Sequence, residues 1–207
     1  MANTFKVNFF NNGAKPGSVM LFQRDPSGNP SAQSLAWFAK YTYPATRVTF
    51  EWTTDLSFVW CDTGQLVPGI IAGASQSIAA DPRGNNQITL TYAQAFNFVN
   101  LRQGGSPGTL VITADASIPP GMASVGIGMS GQPAFLVQAQ PNMNSMFSPS
   151  AQYWIAFGTY EAGQVLDITL IGKPAHIVFP TNIYAMDATL GSDGNWTISP
   201  THLAAEV

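Results

Sequence analysis

At 207 residues and 45% hydrophobic composition, the chain is long enough to enclose one substantial core and short for two domains. Charged residues make up only 9%, against about 25% in an average globular protein, and the net charge is −3. Eight scattered Lys and Arg cannot line a phosphate track, so no nucleic acid partner is expected.

Solvation falls largely to neutral amides, thirteen Asn and twelve Gln. No run of about eighteen apolar residues occurs, so no membrane span is expected. The opening residues, MANTFKVNFFNNGAKPG, carry no basic segment followed by an apolar one. A cytoplasmic location is the default expectation, and leaderless export is compatible with the same segment. One cysteine, Cys61, leaves no internal disulfide.

From the N-terminus the dominant period is two. FKVNF (5–9) sets Phe5, Val7 and Phe9 on one face and Lys6 and Asn8 on the other, the pattern of a half-buried strand. SVMLF (18–22) and AWFAKYTY (36–43) read as further strands, joined by DPSGNP (25–30). In that turn, proline presets φ and glycine closes the reversal. RVTFEW (47–52) resumes the alternation and runs into FEWTTDLSFVW (50–60), the densest aromatic stretch in the chain.

In FEWTTDLSFVW, Thr53 to Asp55 can form the reversal of a hairpin. Phe50 and Trp52 then share one face of the first strand, and Leu56, Phe58 and Trp60 one face of the second. The opposite face carries Thr49, Glu51, Ser57 and Val59. Burying five large apolar side chains stabilises a fold by roughly 1.5–3 kcal/mol each, so a core seam is the first reading. In the second reading, Trp52 or Trp60 stacks on a sugar or another flat ligand, and Glu51, Asp55 and Asp62 accept hydrogen bonds from it. These five residues are the candidate ligand-binding set. The three acids would also be the first to examine for a carboxylate pair.

Beyond them, DPRGNN (81–86) repeats the Asp-Pro-x-Gly-Asn turn and GSDGN (191–195) resembles it. Neither has the alternating acids of a calcium loop. QITLTY (87–92), AFNFV (95–99), TLVIT (109–113), SVGIGM (124–129), AFLVQA (134–139), YWIAF (153–157), VLDITL (165–170), HIVF (176–179) and NWTI (195–198) complete about a dozen expected strands. LTYAQAFNF (90–98) is expected extended, and THLAAEV (201–207) a frayed last turn.

Gly126, Gly128 and Gly131 spell G-x-G-x-x-G, but Gln132 and Pro133 lead into another strand and not into the helix a dinucleotide requires. A glycine-rich hairpin tip or a close backbone approach is expected instead. His176, His202 and Cys61 stand apart in sequence, and no G-x-S-x-G elbow occurs, so no catalytic residue, metal site or cofactor is expected. Met143 and Met146 read as gap-fillers or a contact surface.

Taken together, SLAWFAKYTYP, FVWCDTGQLVPG, SVGIGMSG, FLVQAQPNMN, YWIAFGTYEAGQVLDI and IVFPTNIYAM resemble the RhiA-like family, named for a protein that rhizobia express in the rhizosphere under cell-density control. The similarity runs from about residue 4 to residue 199. It implies a small bacterial-type protein linked to interaction with neighbours or a host, and brings no established reaction, cofactor or catalytic residue; a fungal source is compatible.

The fold expected is one all-β domain over 1–207, an antiparallel two-sheet β-sandwich of jelly-roll kind. The first functional expectation is a non-catalytic binding or assembly protein recognising a neutral polar or aromatic ligand such as a glycan. Weak charge repulsion between copies makes a homo-oligomer compatible. The alternatives are a small carboxylate-dependent enzyme, a hydrolase or specialised-metabolism cyclase with a Trp/Tyr-lined pocket, and a storage or inclusion protein.

Overall fold

A computed structural model describes residues 3–24, 31–149 and 152–201. The DPSGNP turn, His202 and nearly all of the C-terminal THLAAEV segment lie outside the described residues. Among those described there is no α-helix, and the strands are β1 (Thr4–Asn11), β2 (Gly17–Gln23), β3 (Gln33–Ser34), β4 (Ala36–Thr42), β5 (Thr46–Thr53), β6 (Leu56–Cys61), β7 (Gln76–Ala80), β8 (Gln87–Tyr92), β9 (Phe96–Arg102), β10 (Leu110–Ala114), β11 (Ser124–Met129), β12 (Gln132–Gln138), β13 (Met143–Phe147), β14 (Tyr153–Gly158), β15 (Ala175–Ile177), β16 (Ala185–Leu190) and β17 (Trp196–Pro200).

They form four sheets, where the alternation led us to expect two: β17-β16-β1-β5, β13-β10-β8-β9, β3-β12-β11-β6-β7 and β15-β14-β2-β4. Pairing is antiparallel except for β1 with β16 and β10 with β8. One apolar core joins all four sheets through Val7 and Phe9, Ile88 and Leu90, Phe58 and Val125, and Val19 and Leu21.

Two smaller clusters lie outside this core, and each seals the second face of a sheet. Leu35, Val59, Cys61, Leu136 and Val165 cover the sheet of β6. Met20, Phe22, Ala36, Ala156, Leu166 and Ile171 cover the sheet of β2. β2 is consequently buried at every residue.

This double covering corrects the reading of FEWTTDLSFVW. Phe50, Trp52 and Phe58 are core, but Ser57 and Val59, assigned to a wet face, are buried as well. Nor do the two halves form a hairpin. β5 pairs with β1, whereas β6 pairs with β11 and β7, so Thr54 and Asp55 carry the chain from one sheet to another. A second correction concerns VLDITL, which forms no strand. Asp167 Oδ1 accepts from the Thr169 backbone N–H (3.0 Å) and hydroxyl (2.6 Å), and Leu170 N–H closes on the Asp167 carbonyl. An aspartate that bonds its own chain two residues on competes with a ladder and wins.

The glycine expectations hold. DPRGNN closes through Gly84 N–H on the Asp81 carbonyl, and GSDGN through Gly191 N–H on the Asn195 carbonyl. GIGMSG is the β11–β12 hairpin, with Ser130 and Gly131 at φ 51° and 77°, a tip that needs the left-handed region.

Candidate functional site

None of the five residues named from sequence lines the clefts described below. Glu51 and Trp52 point to opposite faces of β5: Glu51 ion-pairs with Lys6 at 3.0 Å, while Trp52 is only 2% exposed and offers no face to a ligand. Asp55 accepts from the Thr53 hydroxyl at 2.7 Å. Trp60 is half-buried, tilted against Phe96 at 5.3 Å, and its indole N–H donates to Gln76 Oε1 at 2.8 Å. Asp62 is exposed, and its backbone N–H donates to Ser75 Oγ.

A different arrangement supplies an exposed ring. On β4, Ala39 packs against the outer cluster of Met20, Phe22 and Ala156, and Tyr41 two residues later leaves the sheet by the same face. With no further core to cover it, the Tyr41 ring is 58% exposed and meets Tyr43 edge to face at 5.4 Å. Just past β14, Tyr160 folds back on the same cluster. A Cβ at position 158 would lie 2.7 Å from the Tyr160 ring, so Gly158 makes that turn feasible.

Tyr41 and Tyr160 are walls of a cleft of about 470 Å³, whose lining includes Ser18, Thr159, Glu161 and Gln164. A neighbouring cleft of about 170 Å³ shares Gly69, Tyr160 and Gln164 with it and continues past Asp167 and Leu170. Backbone bonds hold the floor rigid. Val165 N–H donates to Ile70 O, Gly69 N–H to Val165 O and Ala72 N–H to Gly163 O, while Ala36 N–H donates to Gln164 O. Gly69, at φ 96°, turns the 66–72 loop into this ladder.

The chemistry on offer is hydrogen bonding beside aromatic faces. Gln164 Oε1 accepts from the Glu161 backbone N–H at 3.0 Å, which fixes the amide and leaves its NH₂ and a second oxygen lone pair for a ligand. Burial pushes the Tyr160 phenol above its ordinary pKa, keeping the hydroxyl protonated and able to donate. The Thr169 hydroxyl and N–H hold the Asp167 carboxyl below the usual carboxylate range. That direction suits a hydrogen-bond acceptor and opposes a general acid, whose pKa must rise toward neutrality.

A further cleft, of about 460 Å³, has no charged side chain in its lining: its walls include Gln33, Gln138, Gln140, Asn144 and Ser145, with Met143 and Met146 beside them. No three His, Cys, Asp or Glu side chains gather among the described residues. Cys61 is buried, and desolvation pushes its thiol up to about 12, a state unsuited to nucleophilic attack. Tyr41 and Tyr160 escaped sequence reasoning because weight went to tryptophans; the available signals were Tyr-x-Tyr directly after Lys40 and the glycines at 158 and 163 that bracket Tyr160.

The RhiA family model matches residues 2–201. Protein RhiA of Rhizobium leguminosarum bv. viciae is 34% identical over 193 residues, covering 92% of this chain and 84% of that protein. No solved structure matches.

Proposed function

This chain belongs to the RhiA family, and from that premise we propose that it is a non-catalytic binding protein whose cleft of Tyr41 and Tyr160 takes a neutral polar ligand, a glycan. One observation carries the reading: two tyrosine rings, one of them more than half exposed, border a cleft whose other polar groups are hydroxyls, an amide and a carboxylate. Sugars present C–H faces that rest on rings and hydroxyls that need such partners. The volume lies within the range of about 300–1,000 Å³ usual for ligand sites.

A panel of neutral oligosaccharides, read by array and then by calorimetry, tests this. Tyr41→Ala and Tyr160→Ala should each lower affinity for a captured glycan about tenfold, a loss of roughly 1.4 kcal/mol. Binding undiminished in both variants, or no capture by the unaltered protein, overturns it.

The residues named from sequence keep a narrower place in this account. Trp60 and Phe96, half-buried beside Gln76 and Asn97, offer a flatter platform with Asp62 nearby in the chain. A second reading, contact between copies of the chain, is favoured by two exposed apolar side chains, Ile71 in the tyrosine cleft and Leu170, 79% exposed, in its neighbour. We infer further that the four sheets stack as the layers of one sandwich-like domain of jelly-roll kind; the shared core supports this.

A further inference from the structure

We propose a second ligand site, for a single aromatic ring bearing one hydrogen-bond-accepting group, in the cavity between β1, β14 and β15. The cavity measures about 330 Å³ and shares no lining residue with the tyrosine cleft, so this inference stands apart from the glycan reading.

Its interior is apolar and largely aromatic. Tyr153 and Ile177 are buried, and Phe5 and Phe179 are half-buried. Phe179 meets Phe5 at 4.9 Å and 81°, Tyr153 at 5.9 Å and 84°, and Trp52 at 5.9 Å and 82°. Such edge-to-face contacts are the arrangement that ring quadrupoles favour, and a further ring entering the space can extend it. The Tyr153 hydroxyl is turned away to Met129 Sδ at 3.6 Å, so the ring and not its polar end faces the cavity.

The space opens to solvent past Thr54, Gln152 and Val178, so a ligand can enter without the fold opening. Its volume of about 330 Å³ holds one ring with room for a substituent.

Polarity is confined to the rim. Thr54 and Gln152 line the cavity and are exposed, whereas the His176 imidazole stacks on Trp154 at 4.7 Å and 19°, on the face of the β14–β15 pair opposite to Tyr153 and Ile177. Thr54 and Gln152 supply a hydroxyl and an amide NH₂, both able to donate to an accepting head group. No carboxylate lines the cavity, so an ammonium head finds no ion-pair partner there.

The test is titration with benzoate followed by heteronuclear NMR. Saturable shifts of the Phe5 and Phe179 ring signals are expected, with cyclohexanecarboxylate, which has the same head but no aromatic ring, binding several-fold more weakly. Val178→Trp, at a lining position 60% exposed, should block the mouth and remove the shifts. A second blocking variant, Gln152→Trp, should do the same, which keeps the test decisive if the first perturbs folding. The proposal is overturned if no saturable shift occurs at millimolar ligand, if both variants bind as well as the parent, or if the shifts centre on Tyr41 and Tyr160.

Discussion

Two buried indoles that look alike in sequence differ in what they do. Trp37 donates its N–H to the Met129 carbonyl at 3.0 Å, whereas Trp52 Nε1 is buried with no hydrogen-bond partner. The Trp52 indole approaches the Tyr153 ring at 4.9 Å without forming a regular hydrogen bond, and burial pushes the Tyr153 phenol above its ordinary pKa. Replacing either indole by Phe removes similar volume, but only at position 37 does it strip a buried carbonyl of a donor. We therefore expect Trp37→Phe to cost about 1–2 kcal/mol more than Trp52→Phe in urea denaturation, the cost of leaving a buried polar group unpaired. Equal losses would refute the assignment. This distinction was invisible in sequence, where both indoles read only as candidates for core or platform. Their shared burial was legible, since both sit in strands of alternating apolar residues, but the partner of each N–H depends on which distant strand packs against it.

Strands were legible in most alternating runs: FKVNF, QITLTY and SVGIGM lie within strands, and AFLVQA overruns β12 by one residue. What alternation could not disclose is which strand pairs with which, because side-chain period carries no information on hydrogen-bond partners. Hence TTD was read as a hairpin when it joins two sheets, and Ser57 and Val59 were assigned to solvent when a separate cluster covers them. VLDITL failed for a local reason, the side chain of Asp167. GIGMSG succeeded because its glycines had a steric purpose. A Cβ at Gly126 would stand 1.8 Å from the Phe135 carbonyl oxygen, whereas one at Gly73 would meet nothing within 4 Å. Gly126→Ala should thus cost about 3 kcal/mol or prevent folding, and Gly73→Ala should stay within about 0.5 kcal/mol of the parent by thermal and urea denaturation. A neutral Gly126→Ala would mean that β11 and β12 are not so closely apposed.

At the scale of the molecule, low charge shapes what the surface can do. With only 9% charged residues, and with Lys6–Glu51 the single ion pair among the described residues, little electrostatic repulsion opposes contact between copies. The apolar rim of the tyrosine cleft then sets the prediction. Light scattering should show association rising with concentration, and Leu170→Lys should shift it toward monomer; a parent that stays monomeric when concentrated removes the assembly reading. The amide-rich surface was legible from composition, but its clefts were not, because Tyr41 and Tyr160 lie more than a hundred residues apart and meet only where the loop after β14 returns to the edge of β4. The claim that the tryptophans largely fill the interior while tyrosines face the ligand is tested most directly by assigned NMR spectra of the aromatic rings during titration with a glycan captured on the array. The account predicts saturable shifts at Tyr41 and Tyr160 with the Trp52 and Trp60 indole signals unmoved; movement of those indoles with the tyrosines silent would contradict it.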